Sequence, residues 1–316
     1  MTEAWGYFAL GLLLLALGGD SIVKGASGLA QRIGASPFVA GLLLIAFGTS
    51  LPELAVNARA VWVGSQELAL GNAVGSNIVN LGLTLGLAAV VAPILVRMRV
   101  LSPLLVLLAL ASLALIVFGL DGVVGRGEGM ALLLGFVAAL AFLLARASRE
   151  DTGVRAEVEA FAATRTVLWM NLLRFVVAAA LLYYGARFVV QGAPVIGAHW
   201  GLSPLLTGLL PVAIGTALPE IAAAAMAARR GQGDMVAGHV IGSSLFNLLV
   251  VVGGMAAFRP MALPESFVRL ELPAAIAFVL VLYPMLRGDL RISRTEGGLL
   301  LAAFAGWVVL ELALLA

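Results

Sequence analysis

Two glutamates in this chain stand in nearly identical settings, Gly48-Thr49-Ser50-Leu51-Pro52-Glu53 and Gly215-Thr216-Ala217-Leu218-Pro219-Glu220. Pro52 has no N–H, and its ring crowds the carbonyl of Gly48 four residues earlier, so a helix through this stretch should break. Gly48 adds backbone freedom at the same point. Glu53 stands four residues after Thr49, which puts carboxylate and hydroxyl on one face. The same holds for Gly215, Thr216, Pro219 and Glu220. A carboxylate, a hydroxyl and freed backbone carbonyls together form a hard-oxygen cation site.

Each motif has a second one downstream. Gly71-Asn72-Ala73-Val74-Gly75-Ser76-Asn77-Ile78-Val79-Asn80 places Ser76 and Asn80 four apart, and Gly71 and Gly75 form a strip that admits another helix closely. The later copy has Gly238, Gly242, Ser243 and Asn247. Shifting residues 34–80 by 167 positions onto 201–247 needs no gap and matches 20 of 47 positions, among them Pro, Glu, Thr and Asn that shared composition does not explain. The chain is a tandem repeat.

The elements that position these residues are membrane helices. The 316 residues are 62% hydrophobic and 11% charged, with a mean hydropathy of +1.09. That leaves too little polar side chain to cover a soluble surface, where about 25% charged is usual. Several apolar runs reach the roughly 20 residues that span a bilayer, and backbone in lipid must pair internally, which favours helices. Ten spans are expected, near 5–19, 36–63, 67–92, 100–119, 129–147, 167–190, 203–229, 234–257, 267–286 and 296–315. The second and seventh carry the Gly/Pro interruptions of broken helices. The fold expected is all-α, with one half over 1–147, a cytoplasmic linker over 148–166 and the other half over 167–316.

Basic residues set the topology. With the N-terminus outside, inner loops hold Lys24, Arg32, Arg97, Arg99, Arg146, Arg149, Arg155, Arg165, Arg229, Arg230, Arg287, Arg291 and Arg294, against Arg59, Arg126 and Arg259 outside. Both termini then lie outside. Five spans per repeat is odd, so the halves are inverted. Absence of cysteine excludes disulfides and thiolate metal sites. The net charge of +2, with its basic residues in loops, gives no nucleic-acid surface. The N-terminus lacks the basic stretch of a cleaved signal, so the first apolar run is expected to be a span.

An unpaired carboxylate at mid-membrane costs roughly 2.5–3.5 kcal/mol. A structural Glu–Arg pair with Arg174 or Arg187 is the competing reading, but it leaves the repeated Pro-Glu break unexplained. Ser76, Ser243, Asn80 and Asn247 could serve helix packing alone; their motif favours liganding. Asp20 and Lys24 are read as interfacial at the end of the first span. Glu67 and Asp234 are read as helix N-terminal charges favoured by the dipole. His239, at the position of Asn72, is read as a buried hydrogen-bonding histidine, with a proton-sensitive role open. His199 and Trp200 read as an interfacial loop.

Two copies of G-T-x-L-P-E, each followed by G-x-x-x-G-S-x-x-x-N, resemble the alpha repeats of the sodium/calcium exchanger family, within the cation/calcium antiporter superfamily, over nearly the whole chain. The resemblance implies a prokaryotic-type member in an inner membrane. It implies exchange of sodium for calcium by alternating access, with ion ligands at Glu53, Glu220, Thr49, Thr216, Ser50, Ser76, Ser243, Asn80 and Asn247 and at the backbone carbonyls of Ala46 and Ala213. No cofactor is implied, and one chain suffices for transport. Ala217 departs from the family serine that Ser50 retains, and Asn247 stands where some relatives carry Asp. The linker lacks the large regulatory region of animal exchangers. Two ionised glutamates are neutralised by one calcium or by several sodium ions, so the two loads compete. Proton-coupled divalent antiport on the same fold is the nearest alternative, and a cation channel is a further one. No nucleophile–base pair marks an enzyme.

Overall fold

The computed structural model describes residues 1–33, 40–41, 43–44, 48–147, 150, 152–164, 167–287 and 290–315. Among them nine helices are long and apolar enough to cross a membrane. They are α1 (Thr2–Arg32), α3 (Gln66–Val91), α4 (Leu101–Asp121), α5 (Arg126–Arg146), α7 (Leu168–His199), α8 (Pro204–Arg229), α9 (Gly233–Phe258), α10 (Phe267–Leu286) and α11 (Arg294–Leu314). The expected span over 36–63 is described chiefly through its second half, α2 (Leu51–Trp62). The linker carries a short helix, α6 (Thr152–Ala162).

Two short antiparallel pairings show the inversion. β1 (Ile94–Leu95), between α3 and α4, pairs with β4 (Arg291–Ile292), between α10 and α11. β2 (Val123–Val124), between α4 and α5, pairs with β3 (Met261–Ala262), between α9 and α10. The repeat offset carries β1 onto β3, yet these strands lie at opposite ends of the bundle, because α4 separates β1 from β2. Equivalent loops thus emerge on opposite faces.

Spans α3 and α8 cross backbone to backbone. A Cβ on Gly71 would stand 2.3 Å from the Leu205 carbonyl oxygen, and one on Gly75 2.5 Å from that of Leu209. Gly208 meets the Leu68 carbonyl from the other side at 2.3 Å. The glycine strip therefore works as its spacing predicts. Both α3 and α9 widen into π-helical turns, at Val79–Thr84 and Asn247–Val252, beside the motif asparagines. Such turns displace backbone bonds and recur at functional sites.

The first and sixth expected spans are corrected in length. Helix α1 has 31 residues and α7 has 32, against the expected 5–19 and 167–190. At 1.5 Å per residue each reaches about 45–50 Å, longer than a bilayer core of about 30 Å. They pair through close backbone contact at Gly11, Gly185 and Gly192. Asp20 and Lys24 are not at a helix end: they form an i, i+4 ion pair of 2.6 Å inside α1, which lets the helix continue past two charges. Trp200 stacks near Trp5, with centroids 5.4 Å apart.

Asp234 is more than a dipole charge. It is fully buried and accepts the backbone N–H groups of Arg97 at 2.6 Å and Met98 at 2.7 Å, together with Arg97 Nε at 3.2 Å. Arg97 also reaches Glu157 of α6 at 2.8 Å, and Glu150 accepts the N–H groups of Arg99 and Val100. One carboxylate thus ties α9 to the α3–α4 loop, and the linker docks on the same loop. Burial and then the Asp234 charge push the Glu157 carboxyl above its ordinary range, with Arg97 opposing.

Two outcomes are expected. Gly71→Ala forces a backbone shift and should destabilise by about 1–3 kcal/mol, whereas Gly6→Ala, with open space at its Cβ, should be neutral or stabilise by up to about 1 kcal/mol; thermal unfolding in detergent compares them. Because the folded state holds the Glu157 proton more tightly, its contribution is complete below about pH 4.3 and fades as pH rises through the raised folded value. Glu157→Gln should remove that decline in unfolding temperature; an identical pH profile would show that Glu157 is uncoupled from folding.

Candidate cation site

The two acidic motifs converge through different local structures. In the first, a single 3-10 turn, Gly48–Ser50, leads into α2 with Pro52 in its opening turn, where a missing N–H costs little. Glu53 follows in that turn and is 5% exposed. Helix α1 seals the break: a Cβ on Gly19 would lie 3.0 Å from Pro52 Cγ. In the second, the interruption lies upstream of its expected position. A π-helical stretch at Gly208–Val212 precedes the motif, and α-helix then runs from Ala213 through Pro219 to Arg229. The wide turn supplies the bend, so the proline is accommodated within a helix and deprives only the Gly215 carbonyl of its usual donor.

Both glutamates reach one locus. Glu220 lies within electrostatic reach of Glu53, and Glu53 stands against the Thr216 hydroxyl from the opposite half. Thr49 crosses the other way, 3.2 Å from Ser243 Oγ and 2.8 Å from His239 Nδ1. His239 is also 3.3 Å from Ser243 Oγ. Each half therefore contributes its acidic motif to the hydroxyls of the other.

Among the described residues, ion pairs join Asp20 to Lys24, Arg97 to Glu157 and Asp234, and Glu265 to Arg269. None involves Glu53 or Glu220, and Arg174 bonds instead to Asn171 and Thr164. Several buried oxygens here have no hydrogen-bond partner: Ser50 Oγ, Glu53 Oε2, Glu220 Oε2 and Asn247 Oδ1. An unsatisfied buried acceptor costs about 1–3 kcal/mol, and two of these four belong to the carboxylates themselves, a cost that a cation relieves.

The remaining expected ligands distribute as follows. Ser76, Asn80, Ser243 and Asn247 are all buried, on α3 and α9. Ser76 makes a long 3.5 Å contact to Asn72. Ala213 is buried, and its carbonyl accepts from Thr216 Oγ1 at 3.3 Å. Ala46 lies outside the described residues. Reading the sequence missed Asn57, which accepts from Asn72 at 2.9 Å one turn past Glu53. A lone asparagine four residues after the acid was the signal.

A cavity of about 440 Å³ runs along Asp20, Thr49, Pro52, Thr216, Glu220 and His239 to Met226, Arg230 and Gln232 at the far end of α8.

Inverted helical repeats, an interrupted span in each and an uncompensated acidic centre define a polytopic ion transporter. The family described as sodium/calcium exchanger protein matches residues 3–145 and 170–313, and the chain belongs to it. CaxA of Alkalimonas amylolytica is 36% identical over 316 residues, covering 97% of this chain and 98% of that one. Inner membrane protein YrbG of Escherichia coli (strain K12) is 33% identical, covering 98% and 97%. Among solved structures, the sodium-calcium exchanger NCX_Mj soaked with 10 mM Na+ and zero Ca2+ superposes with a TM-score of 0.68 at 31% identity, covering 100% of this chain and 99% of that one.

The cavity geometry is checked by labelling. The chain lacks cysteine, so Ala223→Cys, on the cavity wall, introduces a single thiol. An impermeant maleimide should modify it only from the Arg230 side; equal labelling from both sides would contradict a one-sided cavity.

Proposed function

We propose that this protein exchanges sodium for calcium across a prokaryotic inner membrane, binding either load between Glu53 and Glu220. The observation that carries the reading is the meeting of two carboxylates from opposite halves with no basic partner among the described residues. Thr49, Thr216, Ser50, Ser76, Ser243, Asn80 and Asn247 supply neutral oxygens around them, and the carbonyls of Ala46 and Ala213 complete the set. Calcium takes roughly 6–8 oxygens at 2.3–2.6 Å. Its charge cancels both glutamates, and sodium ions cancel them one by one. A loaded site is neutral and crosses between inward and outward states; an empty one carries two negative charges and resists. Obligatory exchange follows from that difference.

The cargo leaves chemically unchanged, so the protein is a transporter and not an enzyme, and it uses no cofactor. The site is complete within one chain, so a monomer suffices. The organisation is two halves, 1–147 and 167–316, around the linker 148–166. The excess of arginine on one side places that side in the cytoplasm and both termini outside, and the cavity then faces inward. The similarity to YrbG, an inner membrane protein, supports the location.

A specific observation keeps proton coupling as the second reading. Ala217 is 1% exposed and brings no hydroxyl where Ser50 brings one, so the second half-site offers sodium one oxygen fewer.

In proteoliposomes, Glu53→Gln and Glu220→Gln should each reduce sodium-driven calcium uptake to the level of empty vesicles, a loss of about 100-fold or more from removal of a buried charged ligand. Normal flux in either would refute the shared site. Ala217→Ser should lower the sodium concentration for half-maximal exchange. Calcium uptake driven by a pH gradient without sodium would instead establish proton coupling.

A further inference from the structure

A second acidic pair lies within the bundle, away from the repeat motifs. Glu271 on α10 and Glu311 on α11 are both fully buried. Neither has a counterpart in the first half: the repeat offset of 167 carries them to Leu104 and Leu144. Symmetric ion binding does not account for them.

Their neighbourhood follows from one contact. A Cβ on Gly82 would lie 2.9 Å from Phe304 Cβ and 3.0 Å from the Phe278 ring, so α10 and α11 meet at that level of α3. Glu271 is seven residues before Phe278, and Glu311 is seven after Phe304. Seven residues are two turns on one face. The two helices run antiparallel, so both steps lead to the same level. Glu311 accordingly feels the charge of Glu271.

Hydrogen-bond donors face these carboxylates. Ser266 Oγ donates to Glu271 Oε1 at 2.9 Å, and the Trp307 indole N–H faces Glu311 without closing a hydrogen bond. Glu271 Oε2 and both oxygens of Glu311 have no partner. The adjacent Arg269 is exposed and paired with Glu265. The elements packed against the two helices bring no countercharge to this level: α3 and α4 carry no basic residue, the acids Glu67 and Asp121 are exposed, and Arg287, Arg291 and Arg294 stand at the opposite end of α10 and α11.

We propose that Glu271 and Glu311 form a proton-binding site, holding one proton between their carboxylates, separate from the Glu53–Glu220 centre. Two ionised carboxylates buried together without a cation are not sustainable. A metal ion would need about six oxygens, whereas the pair gathers two carboxylates, one hydroxyl and an N–H donor. Donors suit an acid–carboxylate pair with a single negative charge: the proton, taken from water, bridges the two, and Ser266 and Trp307 stabilise the anion that remains.

The test uses purified full-length protein and two readouts. On titration from neutral to alkaline pH, wild type should release about one proton more than Glu271→Gln/Glu311→Gln. The unfolding temperature of wild type should fall over that range more steeply than that of either single glutamine variant, since glutamine cannot ionise. Equal proton release and parallel unfolding profiles would overturn the proposal. Stabilisation by sodium or calcium of Glu53→Gln/Glu220→Gln that vanishes when both further acids are replaced would overturn it in favour of a metal site. If the double variant does not fold, the single variants decide by the unfolding profile alone.

Discussion

Two carboxylates brought together in a medium of low dielectric, with no cationic side chain among the described residues to meet them, are the constraint on which the architecture rests. A soluble protein would solvate such a pair or neutralise it with arginine. Here the arginines are spent elsewhere: Arg97 on Asp234 and Glu157, Arg269 on Glu265, and Arg174 on Asn171. The charge must come from outside the chain, and the fold has to tolerate the state in which it is missing. That requirement explains why rigid packing surrounds the site, since a floppy bundle would relax by letting water in or by turning one glutamate away.

The rigidity comes from backbone contact more than from side-chain interlocking. In a membrane the helices gain no hydrophobic driving force from meeting, so small residues that allow close approach carry the association. Gly71, Gly75 and Gly208 bring α3 and α8 to touching distance, which sets the depth at which Thr216 and Glu220 stand opposite Glu53. Asp234 anchors the other partner, α9, by accepting two backbone N–H groups of the α3–α4 loop. The long pair α1 and α7 is different. These helices pack chiefly on each other through Gly11, Gly185 and Gly192, so they form a unit beside the core, and α1 touches both acidic motifs, through Gly19 on Pro52, Val23 on Gly48, and Phe8 and Leu12 on Gly215.

Much of this was legible in the sequence because it lay in residue types that lipid forbids without cause. Glu53, Glu220 and the glycine strip announced themselves by position, and the inversion followed from an odd number of spans. What escaped the sequence were features decided by geometry. The interruption of α8 sits at the π-turn Gly208–Val212, which holds Pro211, and not at Pro219; Pro211 has Leu44 at the equivalent position of the first half, so the repeat did not single it out. The length of α1 was underestimated because Asp20 and Lys24 looked like a boundary; paired at i, i+4 they cancel, and the helix runs on. Asp234 resembled an ordinary helix-capping charge, since its acceptor role depends on a loop 136 residues away in the chain.

Inverted repeats make the two half-sites equivalent in outline, and the sequence then makes them unequal. Ser50 answers to Ala217, and Asn72 to His239. The consequence is visible in hydrogen bonding. On the first side Asn72 donates to Asn57 at 2.9 Å and takes only a long 3.5 Å contact from the Ser76 hydroxyl of its own helix. On the second side His239 reaches across to Thr49 at 2.8 Å and to Ser243 at 3.3 Å, so the imidazole holds hydroxyls from both halves. A hydroxyl that donates to a ring nitrogen keeps its lone pairs available, and one that accepts from it gives one up. The half-site with His239 thus has its oxygen donors set by a group the other half lacks, and it is also the half-site missing the serine. Under the proposed exchange, a symmetric scaffold with asymmetric donors would bind one divalent ion centrally through both glutamates while offering monovalent ions unequal places, the arrangement that lets two loads of different charge compete for one pair of acids.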